Sequence, residues 1–198
     1  MEVHVSAGPP ELGAAPPEFP PPGSTDQAPS AKTFDKIEFG GIDWLVLDKN
    51  GDMALLLSEK VLFRRAYNDT YEVKTWEVST LREYLNNDFL NEFSPEDRAR
   101  IAETMVINDD NAEMGTSGGN DTMDRIFLLS EEEVQRYFDR IPARFATDES
   151  GERSTWWLRS PGTCAFTALA VSRLDGSLAE LNVSHSGISV RIALWLLY

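Results

Sequence analysis

The alternation of apolar and polar positions predicts strands at both ends of the chain. Two apolar runs, 42–47 and 53–57, flank an Asn50-Gly51 turn, which is typical of a β-hairpin. Beyond residue 155 the chain is dense in β-prone residues, with a second hairpin turn at Asp175-Gly176. The candidate strands there are 156–159, 168–173, 177–182 and 189–196. We therefore expect an antiparallel sheet in the C-terminal part.

Three short helices are predicted between these strands. The first follows a capping box at Thr80 to Glu83, the second begins at Ser94-Pro95, and the third follows a capping box at Ser130 to Glu133. Met105 is expected to face inward on the second helix, and a buried strand is predicted at 126–129. The predicted fold class is α+β, with an N-terminal β-hairpin, three short helices and a C-terminal antiparallel sheet.

The first 33 residues differ in composition from the rest of the chain. Eight of the eleven prolines lie there, separated mainly by glycine, alanine and serine. Such a segment buries too little apolar surface to offset the entropy of ordering it. We therefore predict a disordered, proline-rich tail at 1–33, with a semi-rigid tether or a PxxP ligand as its alternative roles, and one domain at 34–198.

Charge and composition narrow the partners that we expect. The formal net charge is −15 at pH 7, without a basic stripe, so a phosphate backbone is repelled and nucleic acid is not an expected partner. No apolar run reaches the roughly 18 residues that cross a bilayer, and no signal peptide is recognisable. We expect no membrane insertion, and a location that is cytoplasmic by default or associated with a phage or a cell surface.

A polar loop at 108–124 raises the question of a metal. It holds Asp109, Asp110, Glu113, Asp121 and Asp124. Calcium needs several converging oxygen ligands, and the spacing is not that of an EF-hand because Met114 stands where its glycine would fall. We expect a solvated acidic loop without metal or cofactor, and calcium stays open as the alternative.

The run WWLRSP at 156–161 and the segment around Arg191 combine large aromatic rings with charges. Adjacent tryptophans alternate across a strand, and packing is expected for both rings, with ligand stacking on an exposed ring as the alternative. An arginine in an apolar strand needs a buried partner, for which Asp124 and Asp43 are the candidates. Structural roles are predicted for Trp156, Trp157, Arg159 and Arg191.

The interval 163–186 mixes small, polar and aromatic residues without a clean strand pattern. Such a composition is typical of a ligand face on a rigid scaffold, and equally of ordinary surface loops. The candidate ligand-binding residues are Thr163, Phe166, Thr167, Arg173, Asn182 and His185. Cys164 with His185 would supply a nucleophile and a base, but nothing in their spacing supports that pairing, so no catalytic residue is assigned.

Five blocks in a fixed order carry a family resemblance. They are IDWLVLDKNGDMALLLSE, TWEVSTLREYLNNDFLNEFS, GGNDTMDRIFLLSEEEV, WWLRSPG and SVRIALWL. From about Glu38 onward the chain resembles a bacterial and phage family of domains of unknown function, whose hallmarks are WWLRSPG and a Gly-Val-Arg-Pro-Ala-Leu ending. Ser189 and Ile192 stand in place of the glycine and the proline of that ending. This copy therefore diverges from the pattern.

The resemblance implies a C-type-lectin-like fold, in the group that includes formylglycine-generating-enzyme-like domains. Related domains are targets of diversity-generating retroelements. Formylglycine-generating chemistry uses two active-site cysteines, and this chain has one, so that activity is not carried over. We predict a non-enzymatic recognition or display domain for an unknown protein or carbohydrate ligand, with 163–186 as a face open to retroelement diversification. The alternatives are a formylglycine-generating-enzyme-like enzyme and a structural component of a phage or surface particle.

Overall fold

A computed structural model of the chain describes residues 33–198. Its strands are β1 Asp35–Phe39, β2 Ile42–Asn50, β3 Met53–Ser58, β4 Phe63–Arg64, β5 Thr104–Val106, β6 Thr122–Asp124, β7 Ala146–Thr147, β8 Arg153–Ser154, β9 Trp156–Pro161, β10 Thr167–Val171, β11 Leu178–Asn182, β12 Ser189–Val190 and β13 Ala193–Leu197. The α-helices are α1 Thr80–Asn86, α2 Pro95–Arg100 and α3 Glu131–Tyr137, and 3-10 helices lie at Trp76–Val78, Phe89–Glu92 and Ile141–Arg144.

The α+β class is confirmed, and strands outnumber helices among the described residues. The predicted proline-rich tail, apart from its last residue, lies outside the described residues. The three predicted helices are present as α1, α2 and α3, each only two turns long or less.

The hairpin predicted around the Asn50-Gly51 turn begins a four-stranded sheet. Gly51 has a φ of 61°, which an L-residue rarely adopts and which suits a tight turn between β2 and β3. The strand order is β1-β2-β3-β13, and every pairing is antiparallel. The first and last described strands therefore share one sheet.

The second sheet has the order β11-β10-β9-β12-β4 and is not wholly antiparallel, because β12 runs parallel to β9. The segment predicted as one strand at 189–196 is two strands, since β13 crosses to the first sheet. Ser58 at the end of β3 accounts for this crossing. Its N–H donates to the carbonyl of Ile192 at 2.9 Å, and its own carbonyl accepts from Arg191 Nε at 2.8 Å. These bonds draw the chain away from the second sheet.

Local signals place the helices well, with differences at their ends. Ser79, one residue before the predicted cap, caps α1 by accepting from the Arg82 N–H, whereas the capping box of α3 is present as predicted. The predicted strand at 126–129 is buried but pairs only through the Phe127–Ala193 bridge.

Met105 is exposed rather than inward-facing, so that prediction was wrong. The chain leaves α2 at Arg100 and continues as β5, in which side chains alternate between two faces. Val106 takes the buried face, at 4% exposure, and Met105 the outer one, at 65%. The prediction applies the periodicity of a helix to residues that form a strand.

Strand β9 is buried on both of its faces. Trp156 and Trp157 are fully buried, and their indole N–H groups donate to the carbonyls of Arg144 and Arg65, at 3.1 and 3.0 Å. Neither ring is therefore exposed for ligand stacking. Because the two rings point to opposite faces, the doublet packs against both sides of the second sheet.

Arg191 is 1% exposed and is held by carbonyls rather than by a carboxylate. Its guanidinium donates to Ser58 and Glu59 carbonyls and lies 5.0 Å from the Trp156 ring centroid. Asp43, one of its candidate partners, is exposed and does not bind it. Burial lowers the pKa of Arg191 to about 9, and the carboxylate of Glu59 opposes that shift.

Candidate functional site

Three strands of the second sheet meet a set of loops at the same end. Thr167, at the start of β10, pairs with Asn182, at the end of β11, and the next residue of β10 pairs with Pro161, at the end of β9. Loops 162–166 and 183–188 therefore leave the sheet side by side. Stretches 68–75 and 111–118 contact them, and we name these four segments the loop face.

Hydrogen bonds tie the four segments together. The bonds are Asn68 N–H to Val183 O at 2.9 Å, Thr116 Oγ1 to Thr163 O at 2.7 Å, and Asn111 Nδ2 to Pro161 O at 3.2 Å. A side chain at Gly162 would lie 2.2 Å from Thr167 Oγ1, so this turn of WWLRSPG accepts only glycine. The loop face is thus built on the end of a buried strand rather than hanging free.

Five of the six predicted ligand-binding residues lie in the loop face or at the strand ends that border it. They are Thr163, Phe166, Thr167, Asn182 and His185. Arg173 lies at the opposite end of β10, in the turn to β11, where its N–H donates to Thr155 Oγ1 at 3.2 Å. The expectation of one continuous face over 163–186 is corrected at this point, because antiparallel strands place their turn and their loops at opposite ends.

An exposed aromatic pair is the most conspicuous feature of the loop face. The ring centroids of Tyr71 and Phe166 are 4.9 Å apart, and the two side chains are 60% and 36% exposed. Val73 beside them is 58% exposed. Sequence reasoning missed Tyr71, although an aromatic residue in a polar, irregular segment is a signal for an exposed contact site.

Glu180 fixes the polar side of the loop face. Its Oε2 accepts from Thr163 Oγ1 at 2.9 Å and from Thr167 Oγ1 at 3.2 Å. Sequence reasoning missed this carboxylate as well, since the pairing joins residues on different segments. The two threonine hydroxyls are therefore committed to holding the loop.

Asn182 and His185 shape the neighbouring loop through their own side chains. Asn182 Oδ1 accepts from the N–H and the hydroxyl of Ser184, both at 2.9 Å. His185 Nδ1 accepts from the Gly187 N–H at 3.1 Å, which leaves its other ring nitrogen for a ligand.

Cys164 does not form a nucleophile–base pair with His185 in the part of the chain that the structure describes. The exposed thiol lies 3.5 Å from Thr167 Oγ1, and the histidine is engaged with Gly187. The hydrogen bond that would activate a nucleophile is therefore not formed between these side chains.

The acidic loop is divided between surface and interior. Asp109, Asp110, Glu113 and Asp121 are exposed, whereas Asp124 is 1% exposed and accepts from Trp76 Nε1 and Arg82 Nε, at 2.9 and 2.7 Å. Asp124 therefore belongs to the core and is not the partner of Arg159 or Arg191. Within residues 33–198, no group of three or more His, Cys, Asp or Glu side chains is arranged to hold a metal ion.

Arg159 joins β9 to the segments around it. Its Nε and Nη2 donate to the carbonyl of Ile107, both at 3.1 Å, and Nη1 donates to the carbonyl of Leu128 at 2.8 Å. The same fork binds the Glu133 carboxylate of α3. In turn, the carbonyl of Arg159 accepts from the Tyr67 hydroxyl at 2.9 Å. The residue is 5% exposed, and every arm of its guanidinium has a partner.

None of the helices within residues 33–198 is both long and apolar enough to cross a bilayer.

The comparisons with known proteins identify a family, but no individual relative. The family model of DUF6273, a domain of unknown function, matches residues 51–197 of the chain. No curated protein and no solved structure is significantly similar to it. The predicted resemblance to a family of domains of unknown function is confirmed at that level.

Because the Tyr67 hydroxyl is buried, the free energy of unfolding should fall at alkaline pH. Burial raises the pKa of Tyr67 well above its ordinary value of 10.0. The contribution of this tyrosine to the free energy of unfolding is therefore complete below pH 10 and is lost as the pH rises further. We expect chemical denaturation of the wild type to show this loss and Tyr67→Phe to show less of it, a difference of about 2 kcal/mol near pH 11.5. Part of the loss should remain in Tyr67→Phe, because the pKa values of Tyr84 and Tyr137 are also raised. Tyr71→Phe, at an exposed position, should keep the wild-type slope. Equal slopes in all three proteins would contradict the burial of the Tyr67 hydroxyl.

Proposed function

The chain belongs to the DUF6273 family, and from that premise we propose that it is a non-enzymatic ligand-binding domain whose recognition surface is the loop face. The observation that carries the proposal is the exposed Tyr71–Phe166 pair on segments that are hydrogen-bonded to the end of a buried strand. Binding residues commonly lie on loops that a rigid scaffold positions, and aromatic side chains supply much of the energy of recognition.

The chemistry of the loop face suits an uncharged ligand surface with hydrogen-bonding groups. The two aromatic rings offer a stacking edge of the kind that contacts a sugar face or an apolar side chain. Beside them, His185 and Asn182 are exposed and offer a ring nitrogen and an amide for hydrogen bonds. The proposed ligand is therefore a carbohydrate, a protein or another cell-surface component.

The non-enzymatic part of the proposal rests on how the reactive side chains are used. The threonine hydroxyls are bound to Glu180, and His185 Nδ1 is bound to the backbone. These bonds hold loops in shape, so among the described residues the threonine hydroxyls and His185 Nδ1 are engaged in structural contacts rather than in proton transfer to Cys164. An enzyme of the formylglycine-generating-enzyme-like group is therefore the less favoured reading of the same site.

We further propose that the domain is C-type-lectin-like and that the part of its loop face within 163–186 is diversified by a retroelement. Two features support this: the first and last described strands share one sheet, and the loops gather at one end of the other sheet. Exposed residues such as Phe166 and His185 accept replacement without disturbing the core. The DNA beside the gene tests the retroelement. A reverse transcriptase gene with a near-copy of the segment that encodes 156–198 would support diversification, and its absence would refute diversification and leave a lectin-like domain without it.

Binding to a glycan array and to fixed bacterial cells tests the recognition surface. We expect the labelled wild-type protein to bind a defined set of glycans or cells, and the double variant Tyr71→Ser, Phe166→Ser to bind about tenfold more weakly, because each ring contributes roughly 0.5–1.5 kcal/mol. Leu174→Ser is the control, since Leu174 is 79% exposed but lies in the turn at the other end of the sheet. Equal binding by both variants, or no binding by the wild type, would refute the proposal.

A further inference from the structure

A second apolar surface lies on the two-stranded ribbon of β5 and β6. Met105 and Met123 are directly opposite each other across the ribbon and share its outer face, at 65% and 51% exposure. The inner face, with Val106 and Asp124, is buried and attaches the ribbon to the core. An antiparallel ribbon can be stable with one face packed on the core and the other in water. Packing on the core therefore does not require the methionines of the outer face.

The outer face continues into a groove between the ribbon and α3. The groove has a volume of about 250 Å³, and Phe127 and Trp195 give it apolar walls beside Met105 and Ile107. Ile107 is itself 46% exposed. The outer face of the ribbon and this groove, which has both apolar and polar walls, form one surface, which we name the ribbon groove.

The rim of the ribbon groove is acidic. Asp109 and Glu132 line it, and they also line an adjoining cavity of about 420 Å³ together with Asp110 and Glu131. None of these four carboxylates takes part in an ion pair with another described residue.

The basic residues of the same groove are already engaged. Arg159 pairs with Glu133, and Arg136 pairs with Asp48 at 3.5 Å. The ribbon groove and the adjoining cavity are lined by five carboxylates, those of Asp109, Asp110, Glu131, Glu132 and Glu133, against two guanidinium groups. The surface therefore presents apolar side chains bordered by an excess of negative charge.

We propose that the ribbon groove binds a polypeptide segment of a partner protein that is apolar on one side and basic on the other. Methionine adapts its shape to a partner more easily than branched side chains do, and exposed apolar patches with polar rims mark protein interfaces. Lysine or arginine on the partner would meet Asp109 and Glu132. The net charge of −15 draws a basic partner toward the chain as well.

Other occupants fit this surface less well. An anionic lipid surface is repelled by the acidic rim. A second copy of the chain related by a two-fold axis would bring the same carboxylates close to each other, which costs free energy. The proposal does not depend on the aromatic pair of the loop face, because neither Tyr71 nor Phe166 lines the ribbon groove or the adjoining cavity.

A labelled synthetic peptide that alternates leucine and lysine is the probe for this surface, with fluorescence anisotropy as the readout. Two control peptides of the same length replace every lysine by glutamate or every leucine by serine. We expect the leucine–lysine peptide to bind the wild-type protein and both control peptides to bind about tenfold more weakly or not at all, since both the apolar contact and the charge are needed. Equally strong binding by the serine–lysine control peptide would overturn the proposal, as would no binding by the leucine–lysine peptide.

Matched variants locate the contact. Met105→Thr with Met123→Thr removes apolar surface and leaves the charge unchanged, and Asp109→Asn with Glu132→Gln removes two charges. Both pairs should weaken binding of the leucine–lysine peptide by about tenfold. Asp52→Asn with Glu38→Gln removes the same charge from exposed positions elsewhere and should change binding less than about twofold.

Three outcomes of the variant series overturn the proposal. Equal weakening by the control pair would show general attraction to a polyanion. Unchanged binding by the methionine pair would remove the ribbon from the contact. Sedimentation that shows a wild-type dimer, dissolved by Met105→Thr, would assign the surface to self-association instead. All positions changed are exposed, so thermal melting should stay at the wild-type value in each variant and confirm that every protein is folded.

Discussion

The guanidinium of Arg159 is the constraint on which the surrounding structure depends. Buried charge is costly unless every donor finds an acceptor, and in this chain the acceptors come from three separate places. They are the carbonyls of Ile107 and Leu128 and the carboxylate of Glu133. Once β9 places this side chain in the core, the stretch after β5, the segment before α3 and α3 itself must converge on it.

Other residues of β9 also bind neighbouring segments through hydrogen bonds. Trp156 and Trp157 donate to carbonyls on segments of the chain that lie far apart in sequence, and the carbonyl of Pro161 accepts from Asn111. The run WWLRSPG is therefore one strand whose side chains and carbonyls bind its neighbours, ended by a glycine where no side chain fits. Both proposed surfaces lie next to it: the loop face continues from its end, and the ribbon groove is lined by Arg159.

Local chemistry could be predicted from the sequence, and long-range pairing could not. The Asn50-Gly51 turn and the Ser130–Glu133 capping box depend on residues a few positions apart, and both are present. The crossing of β13 to the first sheet depends on Ser58, more than a hundred residues away, so the single C-terminal sheet was wrong. The predicted partners of Arg159 and Arg191 were wrong for the same reason, because a sequence shows candidate carboxylates but not which backbone carbonyls lie nearby.

The candidate site shows the same division. Residues at the ends of neighbouring strands, such as Thr167 and Asn182, were predicted together and lie together. Arg173 was included because it is close in sequence, yet an antiparallel turn carries it to the far end. Tyr71 and Glu180 were missed because a fold is needed to bring them to Phe166 and to the threonines. Met105 was misplaced because a short strand following a helix was read with the period of the helix.

Hydrogen–deuterium exchange of Arg159→Lys tests the central role of this fork most directly. Lysine keeps the charge but cannot donate in a fixed planar geometry to three groups at once. The account requires faster exchange in both 105–112 and 131–137, while β2 and β3, which do not contact the fork, keep their wild-type protection. If both segments retained the protection that they have in the wild type, Arg159 would not hold these elements together.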